Sequence, residues 1–581
     1  MPPLKPVRLP ASATNALPRW GLIALCLLYI LPGLIARDPW KNVDAASFGI
    51  EWTMAHGTMD DWLWPHIANL TMPEEGPLAF WLGALCIKLF GWLLGDPLAA
   101  RVASVGFFLL GSLSVWNTAY KLGCRAEAQP LRLAFGGQPE PKDYGRTLAD
   151  GALLIFLGCL GLFYPIHAAT AKALEIALIS YAMYASVKLF EDNTKAAAAR
   201  LGATFGLLVL TRGYVVPLAL TIGLAVLSFV GDRARQADAR KSVWKRIAAV
   251  SLPLMLAITA AWFVLNGVAH PFESSPIRAW SDWNASQIDW PGFDSVKYLF
   301  KMGIWFAWPA WPFAGWAVYA WRKQVQALHI ALPLTFFIVF IVLCLLDPNS
   351  EVGLLMRLIP PLAVLAAFGL PTMKRGAINA VDWFSVIILT LAASAIWIYW
   401  ISLQTGWPLP AKSVLKLAPG FQPEFHLIPF LVALAATAGW FIIVHWRISR
   451  RPSVLWRAVV LSTGGGILCW LLAMTIWLPA INYARSYAGV AAQIADHLPA
   501  TPYCVDAEIS PDQMASFAYF GNIHFSQFDG ARCDYLLLQE TSHNHDEAEH
   551  IRTSVEQWKL EWEGRRPSDK DERFRLYRQL H

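Results

Sequence analysis

Between two apolar segments, residues 37–77 gather groups able to do acid–base and phosphate chemistry. They hold seven carboxylates (Asp38, Asp44, Glu51, Asp60, Asp61, Glu74, Glu75), the cations Arg37 and Lys41, two histidines including His66, and four tryptophans. A connection that only joined two membrane helices would need far less. Carboxylates at a membrane surface stay hydrated or paired while indoles settle at the interface, so the stretch is a candidate cradle for a polar substrate. The competing reading is a solvated acidic loop. Further on, Arg212 in LLVLTRGYVVPLAL lies between apolar segments, where a cation is costly unless it holds an anion or braces a carboxylate. In FYPIHAATAKALEIAL, His167, Lys172 and Glu175 cluster at the start of another apolar run. Lys172 and Glu175 would share one helix face, and a local ion pair is the simpler alternative to substrate binding. Arg357 precedes Pro360 and Pro361, which bend a helix and free carbonyls at a cavity edge.

Other chemistries find no support. No histidine has a partner at metal-ligand spacing, the eight cysteines make no C-x-x-C pair, and no metal or other cofactor is called for. There is no phosphate-binding P-loop, no glycine-rich dinucleotide turn and no G-x-S-x-G elbow, which leaves nucleotide hydrolysis and serine chemistry without a basis.

The elements that position these groups are membrane helices. Of the 581 residues 56% are hydrophobic and only 15% charged, and mean hydropathy is +0.42, a composition that describes a polytopic α-helical membrane protein. The net charge of +6 resides mostly in loops expected to face the cytoplasm, so it calls for no nucleic acid. Candidate spans lie at 20–36, 98–119, 151–166, 173–190, 199–212, 214–231, 247–266, 298–320, 326–346, 352–372, 379–402, 426–446 and 457–479. The run at 20–36 is short enough to compete as a signal peptide, but no small-x-small cleavage site precedes Arg37. Residues 231–246 carry six Lys/Arg against two Asp, and 446–457 carry four Arg and no acid, so both are assigned to the cytoplasm. Counting back leaves one net crossing for residues 78–119, which makes the apolar helix 78–94 juxtamembrane and the total about thirteen spans. Residues 37–77 then face outward with the junctions at 164–175, 211–214, 267–297, 347–352 and 403–425. A membrane domain of residues 1–479 is followed by a soluble extracytoplasmic α/β domain of residues 480–581. In that tail Asn482–Leu498 and SPDQMASFAYFG read as helices, PYCVDAEI, NIHFSQF and DYLLLQE as strands, and the charged stretch 541–571 as helical or loose. Cys504 and Cys533 are expected to be bridged in an oxidising compartment.

Several of these stretches resemble a known family. Asp44, Met54, Gly57, the run Asp61-Trp62-Leu63-Trp64-Pro65-His66, and PEEGPLAFWLGALCIKLFG from Pro73 to Gly91 resemble the motifs of bacterial GT-C glycosyltransferases of family 39 and the ArnT type. The segments around Arg212, Glu175 and Arg357, and WFAWPAWPFAGW at 305–316, resemble further motifs of that family. The likeness spans most of the first 370 residues. It departs at charged positions: an acidic pair is reduced to Asp44, the arginine that follows it is Ala46 or Ser47, a lysine is Glu75, and Arg212 stands where lysine is usual. The resemblance implies an inverting transfer of a hexose or pentose from a polyprenyl-phosphate donor to an envelope acceptor such as lipid A, a glycan or a protein. The reaction is expected at the periplasmic face of a bacterial inner membrane. It implies Asp44 as general base, Arg212 and Lys172 on the phosphate, and Glu175, Glu75, His167, His66 and Arg357 around the substrates. A transporter or flippase of a lipid-linked glycan is the rival class, but no internal repeat is visible and the charges gather at one face. A degenerate homologue that binds without turnover is a third reading.

Overall fold

The computed structural model describes residues 7–15, 17–72, 74–133, 136–230, 243–269, 275–349, 351–407, 416, 418–449, 455–500, 503–526, 533–541, 558–569 and 571–580. The chain is mostly helical, and apolar side chains with Gly and Pro at the breaks explain where helices run and stop. The first eight helices carry one side of the site, which the 347–357 segment completes: α1 (Arg19–Ile30), α2 (Val43–His56), α3 (Pro77–Leu94), α4 (Asp96–Cys124), α5 (Pro141–Gly158), α6 (Ala171–Asp192), α7 (Lys195–Arg212) and α8 (Val215–Val230). By length and composition, nine helices among the described residues can cross a membrane. Helix α3 is one of them. Its outer face leaves Leu85, Leu89, Trp92 and Leu93 exposed, as a lipid-facing surface would, while Phe80, Ala84 and Ile87 pack inward.

Four of the expected continuous spans are interrupted. Helix α5 ends at Gly158 and turns by 61° into Leu160–His167, and Val459–Thr475 turns by 67° into Leu478–Arg485. The expected span 298–320 is two helices, Phe293–Phe306 and Ala310–Ala320, because Pro309 has no N–H to continue the ladder. Leu160 N donates to Trp308 O at 3.1 Å, so one break satisfies the backbone freed by another. Val352–Arg357 and Ile359–Gly369 meet at a break just before the Pro360–Pro361 pair. Helix Leu478–Arg485 runs across the expected division at 479/480.

The tail forms a four-stranded sheet in the order β3-β4-β6-β5, where β3 is Val505–Glu508, β4 Tyr535–Thr541, β5 Trp558–Gly564 and β6 Glu572–Gln579. A two-residue ladder of β1 (His66–Ile67) and β2 (Leu70–Thr71) lies in the outer loop. Strands β3 and β4 are parallel and the other pairs antiparallel. The expected helix Asn482–Leu498 is split into Leu478–Arg485 and Ala488–Ala495, and the described part of NIHFSQF, 522–526, contributes a bridge between Val505 and Phe525. Within the charged stretch read as helical or loose, 558–564 is strand β5, while 542–557 falls outside the described residues. Strand β6 was not anticipated, although Phe574 and Leu576 face the core between exposed charges. Helix Pro511–Gly521 is held by a capping box of Ser510 and Gln513 and packs on α2, where a Cβ at Gly49 would meet Ala515. Cys504 and Cys533 form a disulfide with Cα atoms 4.9 Å apart.

Candidate active site at the start of helix α6

Two ionic clusters flank the first turn of α6. In the first, Asp44 at the start of α2 is buried and meets Arg37 at 2.6 Å and Arg101 of α4 at 3.5 Å. Its Oδ2 also accepts the Trp40 N–H at 3.0 Å and its Oδ1 the Ala169 N–H at 3.2 Å. Arg37 lies over the Trp40 ring at 4.3 Å and also donates to Gly33 O and His167 O. Arg101 donates to the carbonyls of Arg37 and Asp38. Burial works to raise the Asp44 carboxyl, but the two guanidiniums and the Trp40 N–H outweigh it and hold it below the ordinary carboxylate value. Asp44 is thereby a buried, paired carboxylate rather than a solvated one. Folding buries Asp44 because Arg37 and Arg101 supply the charge that makes burial tolerable.

His167 is likewise buried. Its ring nitrogens lie against the carbonyls of Tyr29, at 2.8 Å, and Phe163, and the ring is fully buried against Trp470. It joins α1 to the broken end of α5.

The second cluster lies one helical turn further along α6. Lys172 Nζ reaches Glu351 at 2.8 Å and Arg212 reaches the same oxygen at 3.6 Å. Burial alone would raise the Glu351 carboxyl, yet Arg212 and Lys172 hold it at about 2. Beside them Arg357 Nε stands 2.9 Å from Glu175 Oε1. Lys172 and Glu175 therefore pair with residues of the 351–357 turn rather than with each other. The reason is that both face inward on α6, where each finds an opposite charge across the helix interface. Arg212 ends α7, and Gly213, at φ +107°, turns the chain there in a conformation that disfavours any Cβ. Trp283 lies 5.6 Å from the Arg212 guanidinium. A cleft of about 10 Å³, room for one water, is bounded by Arg212, Trp283, Gln287, Asp347, Glu351 and Arg357.

Glu75 completes this cluster. Gly76 N donates to Thr211 O at 2.9 Å, and a Cβ on Gly76 would come 2.2 Å from Leu210 O, so only glycine lets this loop lie on the end of α7. Glu75 is buried, and its Oε2 has no hydrogen-bond partner among the described residues. Burial pushes its carboxyl up to about 7, against the opposing charges of Arg212 and Lys172. Glu51, two turns along α2 from Asp44, is also buried with a carboxyl raised first by burial and then by Asp44. The sequence counts it among the loop carboxylates able to do acid–base chemistry, but a charged residue in a polar loop carries no sign of burial.

His66 is elsewhere. It pairs with Asp61 at 3.1 Å and lines a separate cavity. Residues that sequence reasoning missed are Arg101 and Glu351, each of which supplies the opposite charge to a residue it named, and Arg37, named only as a loop cation, is the ion-pair partner of Asp44. No three His, Cys, Asp or Glu side chains among the described residues are grouped to hold a metal ion.

No protein-family pattern matches the chain, and no curated protein matches its sequence. Solved structures do match it in shape. Apo ArnT from Cupriavidus metallidurans superposes with a TM-score of 0.65 at 16% identity, over 96% of this chain and 97% of that one. The chain has the ArnT fold. ArnT bound to undecaprenyl phosphate superposes almost equally, with a TM-score of 0.63 at 16% identity and the same coverage. A weaker likeness, with a TM-score of 0.44 at 11% identity over 87% of this chain and 63% of the other, is to the oligosaccharyltransferase AglB from Archaeoglobus fulgidus. The ArnT fold thus extends over both the membrane helices and the tail.

Proposed function

We propose that this chain is a membrane glycosyltransferase that takes a sugar from a polyprenyl phosphate and passes it to a lipid, glycan or protein of the cell envelope. We place the reaction at the periplasmic face of the inner membrane. The observation that carries this reading is the convergence of Lys172 and Arg212 on one carboxylate, Glu351, at the junction of three apolar helices. Two cations on a single acid leave net positive charge at a low-dielectric edge, where a phosphate is the complementary ligand. The ArnT of Cupriavidus metallidurans has been solved with undecaprenyl phosphate in this same fold. That likeness supports the choice of lipid.

In the proposed reaction the donor phosphate displaces Glu351, since the cleft beside Arg212 holds no more than a water. Arg212 and Lys172 then bind its oxygens. The bond from the anomeric carbon to the phosphate oxygen breaks with its electron pair going to phosphate, and the two cations stabilise the departing charge. The acceptor hydroxyl attacks the opposite face with inversion and gives its proton to a carboxylate. Two carboxylates compete for that role. Asp44, the sequence choice, is ion-paired to Arg37 and held low, whereas Glu75 has an unpartnered oxygen and a carboxyl near 7. We assign the proton to Glu75, because a base works best with its pKa near the working pH. Asp44 fixes the loop that carries the site.

Transfer from a radiolabelled polyprenyl-phosphate sugar tests the reading. Arg212→Lys keeps much of the activity and Arg212→Ala loses about 3 to 4 kcal/mol of transition-state stabilisation, roughly a few hundredfold in rate. The rate should rise with pH through about 7 in the parent and lose that limb in Glu75→Gln. An alanine variant at Arg212 that transfers at the parent rate removes the phosphate site. A limb that survives Glu75→Gln returns the base to Asp44.

A further inference from the structure

The helix Phe293–Phe306 supplies no residue to either ionic cluster, and it lies across the ends of other helices rather than beside them. Ser295 Oγ donates to Asp347 O at 3.1 Å, just past the end of Leu328–Leu346. A Cβ on Gly303 would touch Leu355 of Val352–Arg357, and one on Gly161, past the broken end of α5, would meet the Phe306 ring. On the topology read from loop charge, these three points are the outer ends of three spans. A helix about 20 Å long that touches all three runs along the outer membrane surface instead of through the bilayer. Ser295 is buried against the protein, with Val296, Leu299 and Phe306 half-buried on the same side. The rest of the helix surface divides into two rows. Phe293, Phe300 and Ile304 form an exposed apolar row, and Lys297 and Lys301, one turn apart, form an exposed basic row beside it. No carboxylate among the described residues pairs with either lysine, and Asp294 sits in the first turn, where an acid complements the helix dipole. Trp290, just before the helix, and Trp305, near its end, are exposed as well.

We infer that this helix is an in-plane anchor whose lysines bind the acidic headgroups of phospholipids in the outer leaflet. Its buried side rests on the protein and its apolar row enters the acyl boundary, which leaves the two ammonium groups at headgroup level. Phosphodiester oxygens are the complementary ligand there. Lysines on the outer side run against the charge bias that sets topology, and two of them unpaired between interface-seeking indoles call for an anion. A zwitterionic headgroup brings its own cation to compete with them, whereas phosphatidylglycerol offers phosphate alone. Attraction to an acidic surface favours binding by roughly fivefold per lysine, so the pair makes the helix prefer an acidic leaflet by roughly thirtyfold. The inner side of the same helix backs the turn that carries Glu351 and Arg357, so a bound headgroup also steadies that turn. Binding of this kind needs no transferase activity.

The test is hydrogen exchange read by mass spectrometry on the full chain in nanodiscs of phosphatidylcholine, with and without phosphatidylglycerol. In the parent, the amides of 293–306 should exchange more slowly by roughly fivefold or more when phosphatidylglycerol is present, and added salt should shrink the difference. Lys297→Gln combined with Lys301→Gln should lose most of that slowing at an unchanged melting temperature, since both side chains are exposed. Lys297→Arg combined with Lys301→Arg should keep it. So should Lys323→Gln, which removes an exposed lysine beyond the far end of Ala310–Ala320. Equal exchange in the two lipid mixtures, or a slowing that survives the double glutamine variant, overturns the inference. Slowing produced by undecaprenyl phosphate in phosphatidylcholine but not by phosphatidylglycerol also overturns it, and gives the lysines to a lipid-linked substrate instead.

Discussion

Replacing Asp44 by asparagine separates a bracing carboxylate from a catalytic one. Asparagine is nearly isosteric and keeps one acceptor oxygen, enough for the N–H of Trp40 or of Ala169 but not for both and the guanidiniums. It also turns an NH₂ toward Arg37, which now stands 2.6 Å from Asp44 with no exposed side-chain surface. Two buried guanidiniums, of Arg37 and Arg101, lose their common counter-charge. Breaking a buried pair from one side costs about 3 to 5 kcal/mol, because the remaining charge stays desolvated. The melting curve in detergent should therefore fall markedly, and Arg37→Gln in the Asp44→Asn background should recover part of the loss, since the second change removes one orphaned cation. Transfer per folded molecule should fall less than stability does. An Asp44→Asn protein that melts like the parent while losing roughly 10²- to 10⁴-fold in rate would refute the reasoning and make Asp44 the base after all.

Three further outcomes follow from the geometry. Glu75 has a folded-state pKa raised from 4.5 to about 7, so the unfolded chain loses its proton first and stability falls as pH rises between those values, by about 3 kcal/mol at most. In Glu75→Gln the melting temperature should vary less with pH across that window, and an unchanged pH dependence would place the group in water. Gly76→Ala should lower both stability and transfer, because the added methyl meets the Leu210 carbonyl at 2.2 Å and pushes Glu75 off the end of α7; parent-like transfer would show that this approach is not needed. A reporter active only in the cytoplasm should be silent when fused after the tail, and an active fusion would reverse the topology.

The membrane fold was legible because apolar runs and loop charge are large signals, summed over many residues. The breaks were not, apart from the bend marked by Pro360 and Pro361, since an unwound turn such as Cys159 changes hydropathy very little. At the site, Arg212, Lys172 and Glu351 illustrate the difference. A lone cation in an apolar stretch announces that it needs a partner, but Glu351, 139 residues beyond Arg212, reads as an ordinary loop acid until the helices fold. The burial of Asp44 was hidden for the same reason: it stands in an acid-rich stretch of sequence, while in space it meets Arg37, Arg101 and the Ala169 N–H just before α6. Strand β6 was hidden by its own composition. Four of its eight residues, ERFRLYRQ, are charged, and the alternation of Phe574 and Leu576 appears only when the period is read over the charges.

The short segment 38–42 is gripped at both ends of the chain's history. Trp40 and Asp38 bind Asn482, Lys41 N binds Arg485 O, Asn42 N binds Asp512 at 2.6 Å, and the Lys41 ammonium meets Asp569 at 3.1 Å. Asp569 and Glu572 are themselves gathered by Arg566. Residues 38–42 thus depend on partners made more than four hundred positions later, so the loop that leads into Asp44 cannot reach its final form before that stretch exists. During synthesis the buried charges near α6 lack this clamp until residues made some five hundred positions later fold onto the loop.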